Sequence, residues 1–238
     1  MYLLAIDTSA HLCAAAVLDT VSGEIVSHAS HDIGIGHAER LMDVIGDVLN
    51  SAKLDYSSIG RIAASTGPGS FTGVRVGLAT ARGIALGLGI EAVGVSSLDA
   101  ARHHALGLLE AAGPKRPVSK ILCALDARRD ETYCQLFPLD HAGLDAREAL
   151  LDQPGVLTLE SLAGMIDPET TALCGSAAVR LQSLLPQETL ILHDLAAAPI
   201  EAYAALGAIA IADAGRPEPL YLRSADAKPQ KGFAVSRL

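Results

Sequence analysis

The chain has 238 residues, half of them apolar, only 3% aromatic and no Trp, with a formal net charge of −9 at pH 7. That length accommodates one large domain or two lobes of about 100 to 130 residues each, with a core of Ala, Leu, Ile and Val that suits alternating strands and helices. The negative field argues against a stand-alone nucleic-acid binder, the four cysteines Cys13, Cys123, Cys134 and Cys174 lack the paired spacing of a disulfide frame or zinc site, and no uninterrupted apolar run of about 20 residues spans a membrane.

The N-terminus has no basic region ahead of its apolar run and meets a charge at Asp7, so it reads as a strand rather than a signal peptide, and the expected location is the cytoplasm. Tyr2 to Ile6, the polar turn beginning Asp7-Thr8-Ser9, and Cys13 to Leu18 form a hairpin that a third strand, Glu24 to Ser30, extends into a meander. From His37 the period changes: Leu41, Met42, Ile45, Val48 and Leu49 share one helical face, while Glu39, Arg40, Asp43 and Asp47 fall largely on another. Arg61 to Thr66 is a strand, Gly67-Pro68-Gly69-Ser70 a loop, Phe71 to Leu88 a helix and Val93 to Ser96 a strand, the order of a parallel crossover.

The second half repeats the opening. Ala124-Leu125-Asp126, a turn over residues 127–131 and the run Thr132 to Phe137 have the shape of Ala5-Ile6-Asp7, its turn and Cys13 to Leu18, which implies two related lobes. Ala172 to Cys174 leads into Gly175-Ser176 as another strand and loop. Pro199, an Ala-rich stretch to Ala214, then Gly215 and Pro217 carry the punctuation of a helix. The expected division is an N-terminal lobe over residues 1–104, completed by the helix 199–214, a C-terminal lobe over 105–195, and a polar tail over 216–238 broken by Leu220-Tyr221-Leu222.

Ser65-Thr66-Gly67-Pro68-Gly69-Ser70-Phe71-Thr72-Gly73 is the most informative stretch. Glycines between a strand and a helix permit a tight turn, and free N–H groups at the helix start can hold an anion. The Gly-Lys-Ser/Thr of a Walker loop is missing, and Thr72 stands where a dinucleotide fingerprint needs its third Gly, although Glu91 lies near the place of a ribose-binding acid. Gly73, Gly77, Ala81 and Ala85 recur every four residues on one face, with Gly83 and Gly87 elsewhere. Four helical glycines weaken the helix by about 3 to 4 kcal/mol relative to Ala, so the small-residue face is expected to pack closely against the sheet or another subunit. Adjacent His103 and His104 diverge by about 100° on a helix, there is no His-Glu-x-x-His, and Gly94-Val95-Ser96-Ser97-Leu98 lacks the closing Gly of a nucleophile elbow.

Taken together, Ala5-Ile6-Asp7-Thr8-Ser9, His37-Ala38-Glu39-Arg40-Leu41, Gly67-Pro68-Gly69-Ser70-Phe71-Thr72-Gly73-Val74-Arg75, Gly94-Val95-Ser96-Ser97-Leu98, Asp126-Ala127-Arg128 and Pro219-Leu220-Tyr221-Leu222-Arg223 resemble the TsaB family, strongly over residues 1–100 and more patchily beyond. The resemblance implies an α/β, actin-like ATPase fold of the ribonuclease H-like class with two related lobes, and kinship with TsaD, which transfers threonylcarbamoyl to adenosine 37 of tRNA. In TsaD relatives a His-x-x-x-His pair helps bind the catalytic metal; Ser97 and Ala101 stand at the matching positions here, and His11 follows Ala10 where an acid is usual. Ser and Ala cannot replace two imidazoles, so the resemblance implies a subunit with no catalytic residue or metal ligand of its own.

The implied partners are TsaD as a heterodimer and the ATPase TsaE, a homodimer when alone, and tRNA only through the complex, with no membrane. The expected interface comprises His37, Arg40, Leu41, Ile45, Phe71, Gly73, Val74, Gly77, Leu78 and Ala81 on the first two helices. Asp7, Thr8 and Ser9 occupy the hairpin tip where an actin-like ATPase holds metal and phosphate, which makes them candidate nucleotide contacts; the cofactor implied is ATP or ADP with Mg at a complex interface. The alternative is a stand-alone ATPase or small kinase of the same fold. A peptidase reading lacks any supporting nucleophile or zinc constellation.

Overall fold

A computed structural model describes residues 1–113, 117–127, 130–139, 143–211 and 217–223. The first lobe opens with the meander β1 (Tyr2–Asp7), β2 (Leu12–Asp19) and β3 (Ile25–Asp32), continues through α1 (His37–Ala52) to β4 (Ile59–Gly67), and crosses by α2 (Phe71–Leu88) to β5 (Glu91–Ser96). β1 pairs antiparallel with β2 and parallel with β4, and the sheet order is β3-β2-β1-β4-β5. Alternation along β1 sends Leu4 and Ile6 to one face and Leu3 and Ala5 to the other. On the first face, Leu41, Ile45 and Val48 of α1 and Val74, Leu78 and Ala81 of α2 complete the core.

The second lobe contains β6 (Lys120–Asp126), β7 (Glu131–Pro138), β8 (Gly155–Thr158), β9 (Thr171–Cys174) and β10 (Ile191–His193) in the order β10-β9-β6-β7-β8. Here β6 pairs antiparallel with β7, β7 antiparallel with β8, β6 parallel with β9 and β9 parallel with β10. Matching β6 to β1 and following the chain, the two sheets share both order and strand sense. The internal repeat is therefore a repeat of topology. Short helices α4 (Leu159–Ala163) and α5 (Ala178–Gln182) cover one of its faces.

The remaining faces are covered by exchange. α3 (Ser97–Ala112) leaves the end of β5 but packs Leu98, Ala101, Ala105 and Leu109 against Ile121, Cys123, Leu125 and Cys174 of the second sheet. α6 (Ile200–Ile209) follows β10 but packs Ile200, Ala202, Tyr203 and Ala204 against Leu3, Ala5, Ala14, Ala63 and Val95 of the first. A lobe boundary at residue 104 thus cuts an unbroken helix whose first turns serve both lobes, Ala100 packing with the first core and Leu98 and Ala101 with the second. α6 starts one residue after Pro199 and ends at Ile209, Ala210 being extended, so the helix stops short of the predicted Ala214; positions 212–214, Arg128 of the quoted motifs and most of the 216–238 tail lie outside the described residues, and 217–223 are described. No helix among them is long and apolar enough to cross a membrane.

Candidate functional site

The hairpin tip and the Gly-rich loop form one closed structure. Ser70 caps α2, its hydroxyl accepting from Gly73 N at 3.2 Å, while its own N–H donates to Ser9 O at 2.6 Å. Thr8 Oγ1 donates to Gly73 O at 2.8 Å. A Cβ added at Gly69 would lie 2.2 Å from Ser9 O, at Gly73 1.9 Å from Thr8 O, and at Gly77 2.6 Å from Thr8 Oγ1. The motif has glycines at these positions because the hairpin tip lies directly on the loop and the first turns of α2.

Beneath this contact is a buried polar cluster. Asp7, Thr8 and Ser9 are 1%, 1% and 3% exposed. Ser9 N donates to Asp7 Oδ1 at 2.9 Å, Ser97 Oγ donates to Ser9 Oγ at 3.3 Å, and the Ser65 and Ser97 hydroxyls are 3.1 Å apart. Tyr203 of α6 brings a fully buried hydroxyl beside Ser97, Ser9 and Ser65, whose hydroxyls oppose the burial that raises its pKa. Burial pushes the Asp7 carboxyl above its ordinary value, against the lowering influence of the Ser9 and Ser65 hydrogen bonds and of His37. The candidate nucleotide contacts therefore present no surface to a nucleotide, and the tip would have to part from the loop to admit one. Ser97 and Ala101, at 4% and 2% exposure, are likewise built into the core. Among the described residues no group of three His, Cys, Asp or Glu side chains is placed to hold a metal ion.

The expected interface residues divide. Leu41, Ile45, Gly73, Val74, Gly77, Leu78 and Ala81 are buried within the first lobe, and His37 is nearly so, its Nε2 3.1 Å from Leu12 O. Arg40 and Phe71 are exposed. The small-residue face expected at the centre of a partner surface is instead turned inward, because the hairpin tip requires it. The outward face of the helix pair carries Met42, Ala79, Gly83, Leu86 and Gly87, with Leu86 74% exposed. A Cβ at Gly83 or Gly87 would meet nothing within 4 Å, so these two glycines have no internal packing reason.

One feature was illegible in the sequence. Residues 217–223 form a strap over the loop: Leu220 N donates to Thr66 O at 2.8 Å, and Arg82 donates to Pro217 O. The Arg75 guanidinium stacks 3.7 Å over the Phe71 ring while its Nε donates to Tyr221 Oη at 2.6 Å. Arg223 reaches the second lobe, donating to Ala127 O at 2.7 Å and to the Glu131 carboxylate. Its sequence signals are the Leu220-Tyr221-Leu222 interruption of the polar tail and the motif Pro219-Leu220-Tyr221-Leu222-Arg223, neither of which shows where the segment docks.

Two lobes with the same five-strand topology, exchanging one helix each and closing a hairpin tip against a Gly-rich loop, define an actin-like ATPase fold. The chain belongs to the TsaD family, whose model, described as tRNA N6-adenosine threonylcarbamoyltransferase, matches residues 30–212. It is 32% identical over 144 residues to the tRNA threonylcarbamoyladenosine biosynthesis protein TsaB of Escherichia coli, covering 60% of this chain and 58% of that one. To TsaB of Haemophilus influenzae it is 34% identical over 131 residues, covering 55% and 51%. The matched part thus spans little more than half the length of these relatives. YeaZ from Pseudomonas aeruginosa superposes with a TM-score of 0.67 at 28% identity, covering 86% of this chain and 89% of that one. A second crystal structure, of a protein described as similar to peptidase YeaZ from Pseudomonas aeruginosa, gives 0.70 at 26%, covering 93% and 99%.

Proposed function

We propose that the chain is a non-catalytic scaffold subunit of the cytoplasmic machinery that makes threonylcarbamoyladenosine in tRNA, pairing with a TsaD-type catalytic subunit and supporting the binding of TsaE. The observation that carries this reading is at the start of α3. Ser97 and Ala101 occupy the positions that the family resemblance assigns to two metal-binding histidines, and both are sealed in the core, Ser97 by hydroxyl contacts to Ser65 and Ser9. A chain that keeps the fold of a transferase and fills its metal position with Ser and Ala contributes by binding rather than by chemistry.

The partner surface is the outward face of α1 and α2, with Met42, Gly83, Leu86 and Gly87 at its centre. Two exposed helical glycines cost about 2 kcal/mol relative to Ala, and close approach of another backbone offsets that cost. The same face serves a homodimer when the chain is alone. ATP or ADP with Mg belongs at the complex interface rather than on Asp7, Thr8 and Ser9, and tRNA is engaged through the complex.

The test is threonylcarbamoylation of tRNA by the same organism's TsaD, TsaE and adenylate-forming enzyme, with and without this chain. Activity is expected only when the chain is present, and the chain alone is expected to turn over no ATP. Full activity without it, or ATP hydrolysis by the isolated chain, would replace the scaffold reading with that of an independent ATPase.

A further inference from the structure

Three side chains that the scaffold reading leaves unused lie in a row across the second sheet. Cys123 on β6 is in register with Cys174 on β9, and Cys174 with His193 on β10. Residues directly opposite in neighbouring strands project to the same face. The two sulfurs are 3.1 Å apart, closer than a sulfur–sulfur packing contact, and neither thiol is in a disulfide. α3 covers this face: Ala101 O accepts from His193 Nε2 at 3.2 Å, and the His104 ring lies 5.2 Å from that of His193. Both thiols are fully buried beneath α3, with Leu190, Leu192 and His193 of the edge-strand segment packed beside them, so peroxide reaches them only through local opening of that edge.

The two thiols are not equivalent. Burial raises the Cys174 thiol, but its contacts with Cys123 and His193 outweigh that and bring it to about 7. Burial and the Cys174 contact push Cys123 well above its ordinary value. Burial disfavours the His193 imidazolium, and the Cys174 contact more than reverses this, raising its pKa. The other titratable groups facing the row are Asp99, Arg102, His103 and His104 on α3, Glu201 on α6 and Asp194 after β10. Cys174 lies between Cys123 and His193 in the row, so it is the thiol that an imidazole can deprotonate while Cys123 keeps its proton, the combination that a dithiol needs to react in two steps.

We propose that Cys123 and Cys174 form a reversible disulfide on reaction with a small peroxide, with Cys174 as the attacking residue, Cys123 as the resolving residue and His193 as the proton carrier. The Cys174 proton passes to His193, whose Nε2–H donates to Ala101 O and whose Nδ1 must release the Leu195 N–H, 3.3 Å away, to take it. The Cys174 sulfur attacks one peroxide oxygen, the S–O bond forms as the O–O bond breaks, and the departing hydroxide takes the His193 proton and leaves as water. Sulfur is oxidised to a sulfenic acid and peroxide oxygen is reduced. Cys123 sulfur then attacks the sulfenic sulfur, the S–S bond forms as S–O breaks, and hydroxide leaves as water with the Cys123 proton. The sum is two thiols and one hydrogen peroxide giving one disulfide and two waters. The bond ties β6 to β9 directly beneath α3.

The experiment treats the folded full chain with hydrogen peroxide and follows thiol titre and disulfide-linked peptides by mass spectrometry. Two of the four thiols are expected to disappear into a Cys123–Cys174 link that dithiothreitol reverses. Cys123→Ser should stop at a sulfenic acid on Cys174 that dimedone traps, and Cys174→Ser should leave Cys123 reduced. For a thiol titrating near 7 the initial rate rises about tenfold between pH 6 and pH 8, against about 80-fold for an ordinary thiol, and His193→Gln should move the profile toward the steeper one. Four thiols that stay reduced in the folded chain while reacting in denaturant would overturn the proposal, as would a link through Cys13 or Cys134, or Cys123 oxidation at an undiminished rate in Cys174→Ser.

Discussion

Asp7 shows how one residue type changes its work when the chain closes over it. In a hairpin open to solvent its carboxylate would be a ligand for a hydrated cation; here it is 1% exposed and pushed up by burial, against opposing hydrogen bonds from Ser9 and Ser65 and the charge of His37. Because the folded state holds its proton more tightly than the unfolded chain, where an Asp titrates near about 3.9, the stability linked to that proton is full below the unfolded value. It is lost as pH rises through the folded one. Asp7→Asn keeps an acceptor for Ser9 N and removes the ionisation. Thermal unfolding across a pH series should give equal midpoints for variant and wild type at the acid end, with the variant increasingly the more stable toward pH 8. A variant less stable than wild type at neutral pH would mean that the fold is built around the ionised carboxylate.

The helix α2 carries two sets of glycines with opposite expected responses. At Gly73 an added methyl meets the Thr8 carbonyl, a backbone atom that cannot swing aside, whereas at Gly83 it meets nothing within 4 Å. Gly73→Ala should therefore cost on the order of 2 kcal/mol despite the gain in helix propensity, and Gly83→Ala should stabilise the free chain by about 0.5 to 1 kcal/mol. Denaturant unfolding checks both, and co-purification with the catalytic partner checks the surface: Gly83→Trp should weaken pairing without lowering the free chain's stability. Pairing unaffected by Gly83→Trp would remove α2 from the interface. The sequence shows that these glycines are costly but not which way each one points, since Gly73 and Gly77 meet the hairpin tip only after β1 and β4 have paired. α1, α2 and the first meander are legible from period and punctuation. By contrast, α3 is Ala-rich with little contrast between its faces, and β8 and β10, of four and three residues, are too short for alternation to show.

At the scale of the molecule, the repeat of Ala5-Ile6-Asp7 in Ala124-Leu125-Asp126 announces two lobes, and the shared strand order of the sheets makes the relation structural. What the repeat does not announce is that each lobe completes the other. α3 begins among the serines of the first lobe and covers the second sheet, α6 leaves the second sheet and covers the first, and the 217–223 strap ties the Gly-rich loop to the turn before β7. Neither sheet can keep both faces dry without a helix rooted in the other lobe, so separate unfolding would expose apolar surface on both. The lobes should consequently unfold as one cooperative unit. Leu98, fully buried at the start of α3, is the position at which to test this, because Leu98→Ala removes contacts to the second sheet from a helix anchored in the first and should cost about 2 to 5 kcal/mol. If the lobes are coupled, native-state hydrogen exchange will show protection falling by the same amount in β1 and β4 as in β6 and β9. A loss confined to β6 and β9, or two separated urea transitions in the wild type, would show instead that the exchanged helices dock late onto lobes already stable alone.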